Sequence, residues 1–355
     1  MTRPAANEME LEFKLTSPDP VKDVVGTRRN YLKQKFDLES AQGILPFTNE
    51  KYYEQSNPIL RSGLFSANKL GGEFREWTEV FVFGTGTIQY KGPALTVDHE
   101  HVLARLLLLA RGKSLTKPVN VQESWIFEWL ELSDAGENRK RVQRLLDDLE
   151  EGQIRISCKS ALSRLYFLLT SPMTGDLPDG KFFRQYIDNL YGPQLKMIAA
   201  ALEADEEVQI TMQFIKSQTV NNHTGRMLIN LDPVTAVFFD GVNTTLLPFE
   251  IYSKLDRFGK KILPFIASHR DGVYPIKLEN YFIYIGSISV YEKVKRRFKS
   301  DFKKNLIHYE AEGWIEKGWE LYRNDKNEEM VSGLKLHPSL RVRSALDLPV
   351  IDVSE

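Results

Sequence analysis

The sequence predicts an α+β fold, and three observations lead to that prediction. The order helix, strand, helix, helix, strand, strand is predicted twice, at about residues 99–169 and 256–336. In both copies the third helix carries basic residues on its outer side. A polar, proline-containing stretch precedes both copies. Because this order is that of a winged helix, we predict two tandem winged-helix domains with a flexible N-terminal arm.

Length and patterning divide the chain into four parts. At 355 residues, the chain exceeds the usual size of a domain with one core, so two domains and an arm are expected. We place the flexible arm at 1–58, the first winged-helix domain at 59–245, the second at 246–345 and a tail at 346–355. The second domain carries the more basic of the two third helices, so if the chain binds DNA this domain is expected to be the main DNA reader.

The composition limits the classes of function. With a net charge of −1, any contact with nucleic acid must come from local basic patches. Cys158 is the only cysteine, which excludes a disulfide within the chain and fits a reducing cytoplasm. The N-terminus lacks the apolar core of a signal peptide, and the longest apolar run, Leu106–Ala110, is too short to cross a bilayer. We therefore expect a cytoplasmic protein without a membrane segment.

The first domain is predicted to begin with a hairpin and a helix. Trp77–Phe83 and Thr87–Lys91 are rich in β-branched and aromatic residues and flank a Gly-Thr-Gly turn. That turn lacks the further residues of a phosphate-binding loop. Asp98 is the predicted cap of a helix over His99–Arg111.

Two more helices and two strands complete the first copy. Helices are predicted at Glu123–Leu132 and Glu137–Glu151, and strands at Ile154–Ser157 and Leu165–Leu169. Cations in the first half of the helix over Glu137–Glu151 oppose the helix dipole, yet readers of DNA place base-contacting residues at that end. The candidate DNA-binding residues here are Arg139, Lys140, Arg141 and Arg144.

The connection to the second domain is less regular. Strands are predicted at Gln209–Ile215 and Met227–Asn230, and a helix near Leu195–Ala204. Apolar periodicity then predicts helices at Leu247–Leu255 and Asp256–His269.

The stretch 287–309 gives the clearest signal. Apolar residues at spacings of three and four define one buried helix face: Tyr291, Val294, Phe298, Phe302, Leu306 and Tyr309. Between Ser287 and Leu306, seven Lys or Arg and two acids give a local charge of +5. Such a helix suits the DNA major groove, although a solvated face on an ordinary core helix is the alternative. The candidate DNA-binding residues are Ser289, Lys293, Arg296, Arg297, Ser300, Lys303 and Lys304.

Shorter elements surround this basic helix. A helix is predicted at about Glu279–Ile285, followed by a turn at Gly286. A closing strand is predicted to start within 312–315, a wing tip to lie at 324–327 and a return strand at 333–336.

The arm contains a short peptide of interest, Gln42-Gly43-Ile44-Leu45-Pro46-Phe47. Glutamine followed by spaced Leu and Phe is the pattern of peptides that dock into the bacterial sliding clamp. Gln42, Leu45 and Phe47 are the candidate partner-binding residues, and an anchor that packs the arm on the first domain is the alternative.

Several segments resemble a known family. RSGLFSANK (61–69), YKG (90–92), SHRDGVYPIKLENY (268–281) and EGWI (312–315) resemble the TrfA-type plasmid replication initiators, within the class of tandem winged-helix Rep proteins. The resemblance implies monomers that bind origin iterons, help to open an AT-rich segment and control plasmid copy number. It also implies inactive homodimers formed through the first winged helix.

The same resemblance implies partners among the host replication proteins. These are the sliding clamp, the replicative helicase and the host initiator proteins. Gln42–Phe47 occupies the place of the family's clamp-binding peptide but departs from its pattern at Gly43 and Pro46. The family implies no catalytic residue, metal or cofactor.

Two other functions fit part of the sequence. A rolling-circle nicking initiator needs paired metal-binding histidines, and His99-Glu100-His101 is the only close pair. Its acidic centre and position favour surface histidines in the first turn of a helix, so we expect no enzyme activity. A winged-helix transcriptional regulator without replication activity is the second alternative, and sequence does not separate it from an initiator.

Overall fold

The computed structural model describes residues 52–68, 72–84, 86–110, 118–157, 209–232, 244–269, 271–287 and 289–341, with residues 197, 200, 201 and 204 between them. The arm up to residue 51, the predicted strand Leu165–Leu169 and the tail 346–355 lie outside the described residues.

Helices and strands are mixed along the described chain, which confirms the α+β class. The helices are α1 Asn57–Leu60, α2 Val97–Leu109, α3 Glu123–Trp129, α4 Gly136–Glu151, α5 Phe249–Lys254, α6 Arg257–Ala267, α7 Leu278–Tyr284 and α8 Tyr291–Ala311. The strands are β1 Tyr52–Ser56, β2 Glu73–Val80, β3 Thr87–Pro93, β4 Val119–Gln122, β5 Gln153–Ser157, β6 Ile210–Gln213, β7 Ile215–Asn221, β8 Arg226–Leu231, β9 Thr244–Pro248, β10 Ile276–Lys277, β11 Glu320–Arg323 and β12 Glu329–Ser332.

Two three-stranded sheets share one connectivity. The order of strands is β4-β8-β7 in one sheet and β10-β12-β11 in the other. In each case a helix precedes a short strand, and two helices and then a hairpin follow it. The second strand of that hairpin pairs with the short strand and so closes the sheet. We call α2–α4 with β2–β8 the first body, and α5–α8 with β10–β12 the second body. The predicted recurrence of element order is therefore present.

The hairpin of the first body differs from its prediction. β5 forms close to where a wing strand is predicted, but it pairs with β3 and β6 in a separate sheet of order β2-β3-β5-β6. The closing hairpin is β7–β8, more than fifty residues further along. Ile154 and Ile156 of β5 are fully buried, and β5 is paired on both sides, with β3 and with β6. These are the properties of a central strand, whereas a wing strand is exposed.

The predicted arm and the helix at Leu247–Leu255 also need correction. β1 pairs antiparallel with β9, with Tyr52 opposite Pro248. Tyr53 is fully buried and its ring stacks on that of Tyr252 at 3.9 Å. Residues 52–58 therefore belong to the fold rather than to the arm, and Leu247 lies in a strand. Burial of aromatic residues on both sides of this pair outweighs the helical periodicity of the local sequence.

The two bodies meet through shared apolar packing. Phe83, in the loop after β2, lies among three aromatic rings of the second body, 4.7 Å from Phe265, 5.8 Å from Tyr281 and 5.1 Å from Tyr284. The Tyr284 hydroxyl donates to the Leu60 carbonyl at 2.6 Å. The second core thus includes side chains from the N-terminal part of the chain.

A buried carboxylate joins three helices across this seam. Asp98, on α2, accepts from Arg141 of α4 at 2.6 Å and from Arg257 of α6. The predicted cap role of Asp98 is wrong, because Thr96 is the N-cap residue and closes a capping box with His99. Lys261 of α6 is also buried, and its Nζ donates to the Ser62 carbonyl at 2.7 Å. Burial lowers the pKa of Lys261 to about 8.

Candidate nucleic-acid interface

The long helix α8 is anchored along one side, as its sequence period predicts. Phe298, Phe302, Leu306 and Tyr309 are buried, while Tyr291 and Val294 are partly buried. Phe302 packs 5.0 Å from the ring of Tyr281 and edge-on against Phe258 at 5.6 Å. At 1.5 Å per residue the 21 residues of α8 span about 31 Å. This anchoring fixes which side of α8 faces outward.

The outward side carries every candidate residue predicted for this helix. Seven side chains are exposed there: Ser289, Lys293, Arg296, Arg297, Ser300, Lys303 and Lys304. Arg297 lies 3.6 Å from Asp301, so its charge is partly compensated. Within the described part of the chain, no hydrogen bond or ion pair engages the side chains of four of them: Lys293, Arg296, Lys303 and Lys304. We call these four residues the cationic strip.

The β11–β12 hairpin is docked against α8. The Glu329 carboxylate accepts from Lys299 at 2.7 Å and from the Tyr291 hydroxyl at 3.4 Å. The hydrogen bond from Lys299 is the main reason that the pKa of Glu329 lies below its usual value. Lys277 of β10 pairs with Glu328 at 2.5 Å. Lys299 is therefore structural, and the hairpin continues the surface of the cationic strip.

The tip of this hairpin forms where it is predicted. Asn324 Oδ1 accepts from the backbone N–H groups of Lys326 and Glu328, and Asn327 has a φ of 62°. The return strand is β12, Glu329–Ser332, so its prediction at 333–336 is four residues too late.

The four candidate residues of α4 divide into two pairs. Lys140 and Arg144 are exposed. Arg139 forms a forked pair with Asp134, with contacts of 2.9 and 3.1 Å, and Arg141 is bound to Asp98. The guanidinium of Arg141 turns toward α2 and neutralises a buried carboxylate, which makes Arg141 the weakest of the four DNA-binding candidates on this helix. Arg139 is also engaged, by a carboxylate at the start of its own helix.

The acidic half of α4 has a structural explanation. Asp148 lies 3.0 Å from Nε2 of His99, and Asp147 accepts from Gln218 of β7 at 2.7 Å. These contacts hold α4 against α2 and the β7–β8 hairpin. The order of charges along α4 therefore follows from packing and does not by itself indicate DNA.

The split within α4 gives a prediction. Arg141→Ala is expected to lower the free energy of unfolding by about 1–2 kcal/mol, because Asp98 loses one of its two partners in a largely buried place. Lys140→Ala is expected to change it by less than about 0.5 kcal/mol, as for other exposed positions. Urea unfolding of the two variants measures the difference. Equal stabilities of the two variants would show that the hydrogen bond from Arg141 to Asp98 contributes nothing to folding.

The histidine pair is buried, which corrects its placement at the surface. His99, Glu100 and His101 are 4%, 2% and 1% exposed. Glu100 accepts from Tyr53 at 2.8 Å and from Gln55 at 3.1 Å, and burial raises its pKa. Burial lowers the pKa of His101 to about 3, so its ring is neutral near pH 7. Of the three, His101 lies at the seam between the bodies, with its ring 5.4 Å from that of Tyr252.

Among the described residues, the His, Cys, Asp and Glu side chains form no group of three or more that could hold a metal ion. No described helix is both long enough and apolar enough to span a bilayer.

Sequence reasoning missed two features of this surface. The first is strand β7 and its pairing with β8 as the closing hairpin, although the strand predicted at Met227–Asn230 is present as β8. The turn of this hairpin carries the exposed residues His223 and Thr224. Its signal is the polar Asn-Asn-His-Thr-Gly stretch between two alternating segments. The second is Val290, a large apolar side chain exposed at the start of α8.

Comparisons with known proteins give a limited result. No family model and no curated protein sequence matches the chain. Among solved structures, RctB domains 2–3 align at 12% identity over 78% of this chain and 96% of that chain, with a TM-score of 0.44. A selenomethionine derivative of RctB domains 2 and 3 aligns at 11% identity over 79% and 97%, with a TM-score of 0.42. Scores below 0.5 do not establish a common fold, so function has to be argued from the residues of this chain.

Proposed function

We propose that this chain is a plasmid replication initiator that binds origin iterons sequence-specifically through two winged helices. The cationic strip of α8, beside a docked hairpin, carries the proposal. Four of the seven Lys and Arg residues of α8 make no ion pair with any described residue, and they share one exposed side of the helix. Concentrating such charge on a chain of net charge −1 favours a polyanionic partner.

The proposed docking places α8 in the major groove. The groove admits one helix, and Lys or Arg side chains can donate to guanine O6 and N7. The β11–β12 hairpin, fixed to α8 through Glu329, then lies beside the groove and contacts the DNA backbone. In the first body α4 takes the equivalent position and offers Lys140 and Arg144. Asp98 joins α4 to α6 of the second body through Arg141 and Arg257, and one monomer is proposed to contact an iteron through both α4 and α8.

The step from DNA binding to replication rests on the resemblance of residues 61–69 and 268–315 to TrfA-type initiators. That resemblance also supports origin opening, copy control and recruitment of the replicative helicase, sliding clamp and host initiator proteins in the cytoplasm. Monomers would be the DNA-bound form, and homodimers through the first winged helix the inactive form. A winged-helix transcriptional regulator would share the same DNA surface, so activity must separate the two.

A plasmid maintenance assay makes that separation. The gene and its flanking DNA are placed on a plasmid without another origin and introduced into a bacterial host under selection. An initiator maintains the plasmid, and tandem repeats of about two helical turns beside an AT-rich stretch are expected in the flanking DNA. The matched control carries Lys293→Ala with Arg296→Ala. Specific DNA binding together with complete loss of the plasmid would favour the regulator instead.

The arm is proposed to act in recruitment rather than in origin binding. Gln42, Leu45 and Phe47 lie outside the described residues, and the isolated peptide is expected to bind the sliding clamp with micromolar affinity, about −8 kcal/mol. Replacing Leu45 and Phe47 by alanine should abolish clamp pull-down and lower plasmid establishment while iteron affinity stays unchanged. A joint loss of thermal stability and iteron binding would show instead that these residues anchor the arm to the fold.

A further inference from the structure

Val290 occupies the N-cap position of α8, and its side chain is 59% exposed. Ser289 before it is also exposed. Lys293 follows three positions later, which places it on the same side of the helix. The start of α8 therefore presents a large apolar group next to the cationic strip.

Local structure does not explain a valine at this position. An N-cap residue usually stabilises its helix by accepting a hydrogen bond from a backbone N–H of the first turn, and valine has no acceptor. No side-chain cap bond forms at this end of α8. The side chain does not fill the core either, since the packing of α8 on its neighbours begins with Tyr291, whose ring lies 5.3 Å from that of Phe282. Val290 therefore supplies neither a cap nor core packing, and its exposed side chain is available to a partner.

The first body has no such group. Its helix α4 starts after Ala135, with Gly136 as the first helical residue. The acids Asp134 and Glu123 lie beside that start, 2.9 and 3.9 Å from Arg139. Both N-cap residues are exposed and apolar, but Ala135 has only a methyl group, so a large exposed apolar side chain at the N-cap distinguishes α8 from α4.

We propose that Val290 contacts the C5-methyl group of a thymine in the major groove. This inference rests on the proposed docking of α8 and adds a base preference to it. The methyl of thymine is the apolar group that the major-groove edges of base pairs present, and residues at the start of a recognition helix reach those edges. The specific site therefore contains a thymine beneath the start of α8, and valine selects it by excluding water from the methyl.

Uracil substitution tests this contact directly. Duplexes that the full chain binds are selected from a random library, and each thymine is then replaced singly by deoxyuridine, which lacks the methyl. At one or two positions the substitution is expected to weaken binding by the wild-type chain about fourfold, the scale of one buried methyl. Val290→Ala should bind the thymine and uracil forms of those duplexes equally.

Two further variants separate recognition from folding. Val290→Ser supplies a capping oxygen, so its thermal midpoint should rise while its discrimination between thymine and uracil disappears. Ile283→Ala removes a comparably exposed apolar side chain from α7 and should keep the discrimination. If Val290→Ala still binds the uracil duplexes more weakly than the thymine duplexes, the inference is overturned. The same follows if no uracil substitution weakens binding by the wild-type chain. Either result leaves the proposed function standing. Failure to select any duplex overturns the proposed function as well.

Discussion

Replacing Lys293 and Arg296 together by alanine is expected to weaken binding of the specific duplex by about 2–4 kcal/mol, roughly 30- to 1,000-fold. Both side chains are exposed and have no partner in the described part of the chain, so their removal leaves the packing of α8 intact. Their loss takes two donors from the centre of the proposed contact. Gel shifts at fixed salt measure the change, with circular dichroism confirming that the helices remain.

The matched variant lies in the first body. Lys140→Ala with Arg144→Ala removes the same number of exposed cations from α4 and should weaken binding by only about 1 kcal/mol, roughly fivefold. α4 has 16 residues against 21 in α8, and two of its four candidate cations are held by carboxylates. Equal losses from the two double variants would contradict the assignment of α8 as the main reader.

The second large effect concerns stability. Gly286→Ala is expected to lower the free energy of unfolding by about 2–4 kcal/mol and to misplace α8. Gly286 has a φ of +75°, and a Cβ there would come within 2.6 Å of the Ser66 Cβ. Ser66 is itself fixed, because its hydroxyl donates to the Ile285 carbonyl at 3.1 Å. The substitution therefore forces apart the two bodies at the turn that leads into α8.

Gly313→Ala separates backbone strain from this close approach. Gly313 follows α8 at its other end with a φ of +70°, and no atom lies within 4 Å of the position of its Cβ. Its substitution should cost only the strain, about 1 kcal/mol. Urea unfolding and duplex affinity are measured for both variants. If Gly286→Ala were no more destabilised than Gly313→Ala, the packing of Ser66 on this turn would not be tight.

Sequence predicts α8 well because its signals are local. Buried positions recur with the helical period from Phe298 to Tyr309, and Gly286 marks the turn before it. The hairpin tip at Asn324 can be predicted for the same reason, because the Asn324 side chain accepts from the backbone N–H of Lys326, only two residues away. The exposed side of α8 follows once the buried side is known, so its candidate residues were placed correctly.

The other elements depend on contacts far apart in the chain, which a local pattern does not contain. Arg141 is one of four similar cations in sequence, and only the position of Asp98, 43 residues away, determines that its guanidinium pairs within the fold. β5 has the alternation of a wing strand, but its partners β3 and β6 decide its sheet. The burial of His99 likewise depends on Asp148.

The central claim is that the cationic surfaces bind DNA sequence-specifically, and its salt dependence is the most direct test. Fluorescence anisotropy gives the dissociation constant of the full chain with a selected duplex and with a scrambled one, between about 50 and 200 mM salt. Each phosphate neutralised contributes about −0.9 to the slope of log affinity against log salt concentration. With about four to six phosphates neutralised, that slope should be about −4 to −5. The selected duplex should bind at least about a thousandfold more tightly than the scrambled one. A slope near zero, or equal affinity for both duplexes, would contradict the claim.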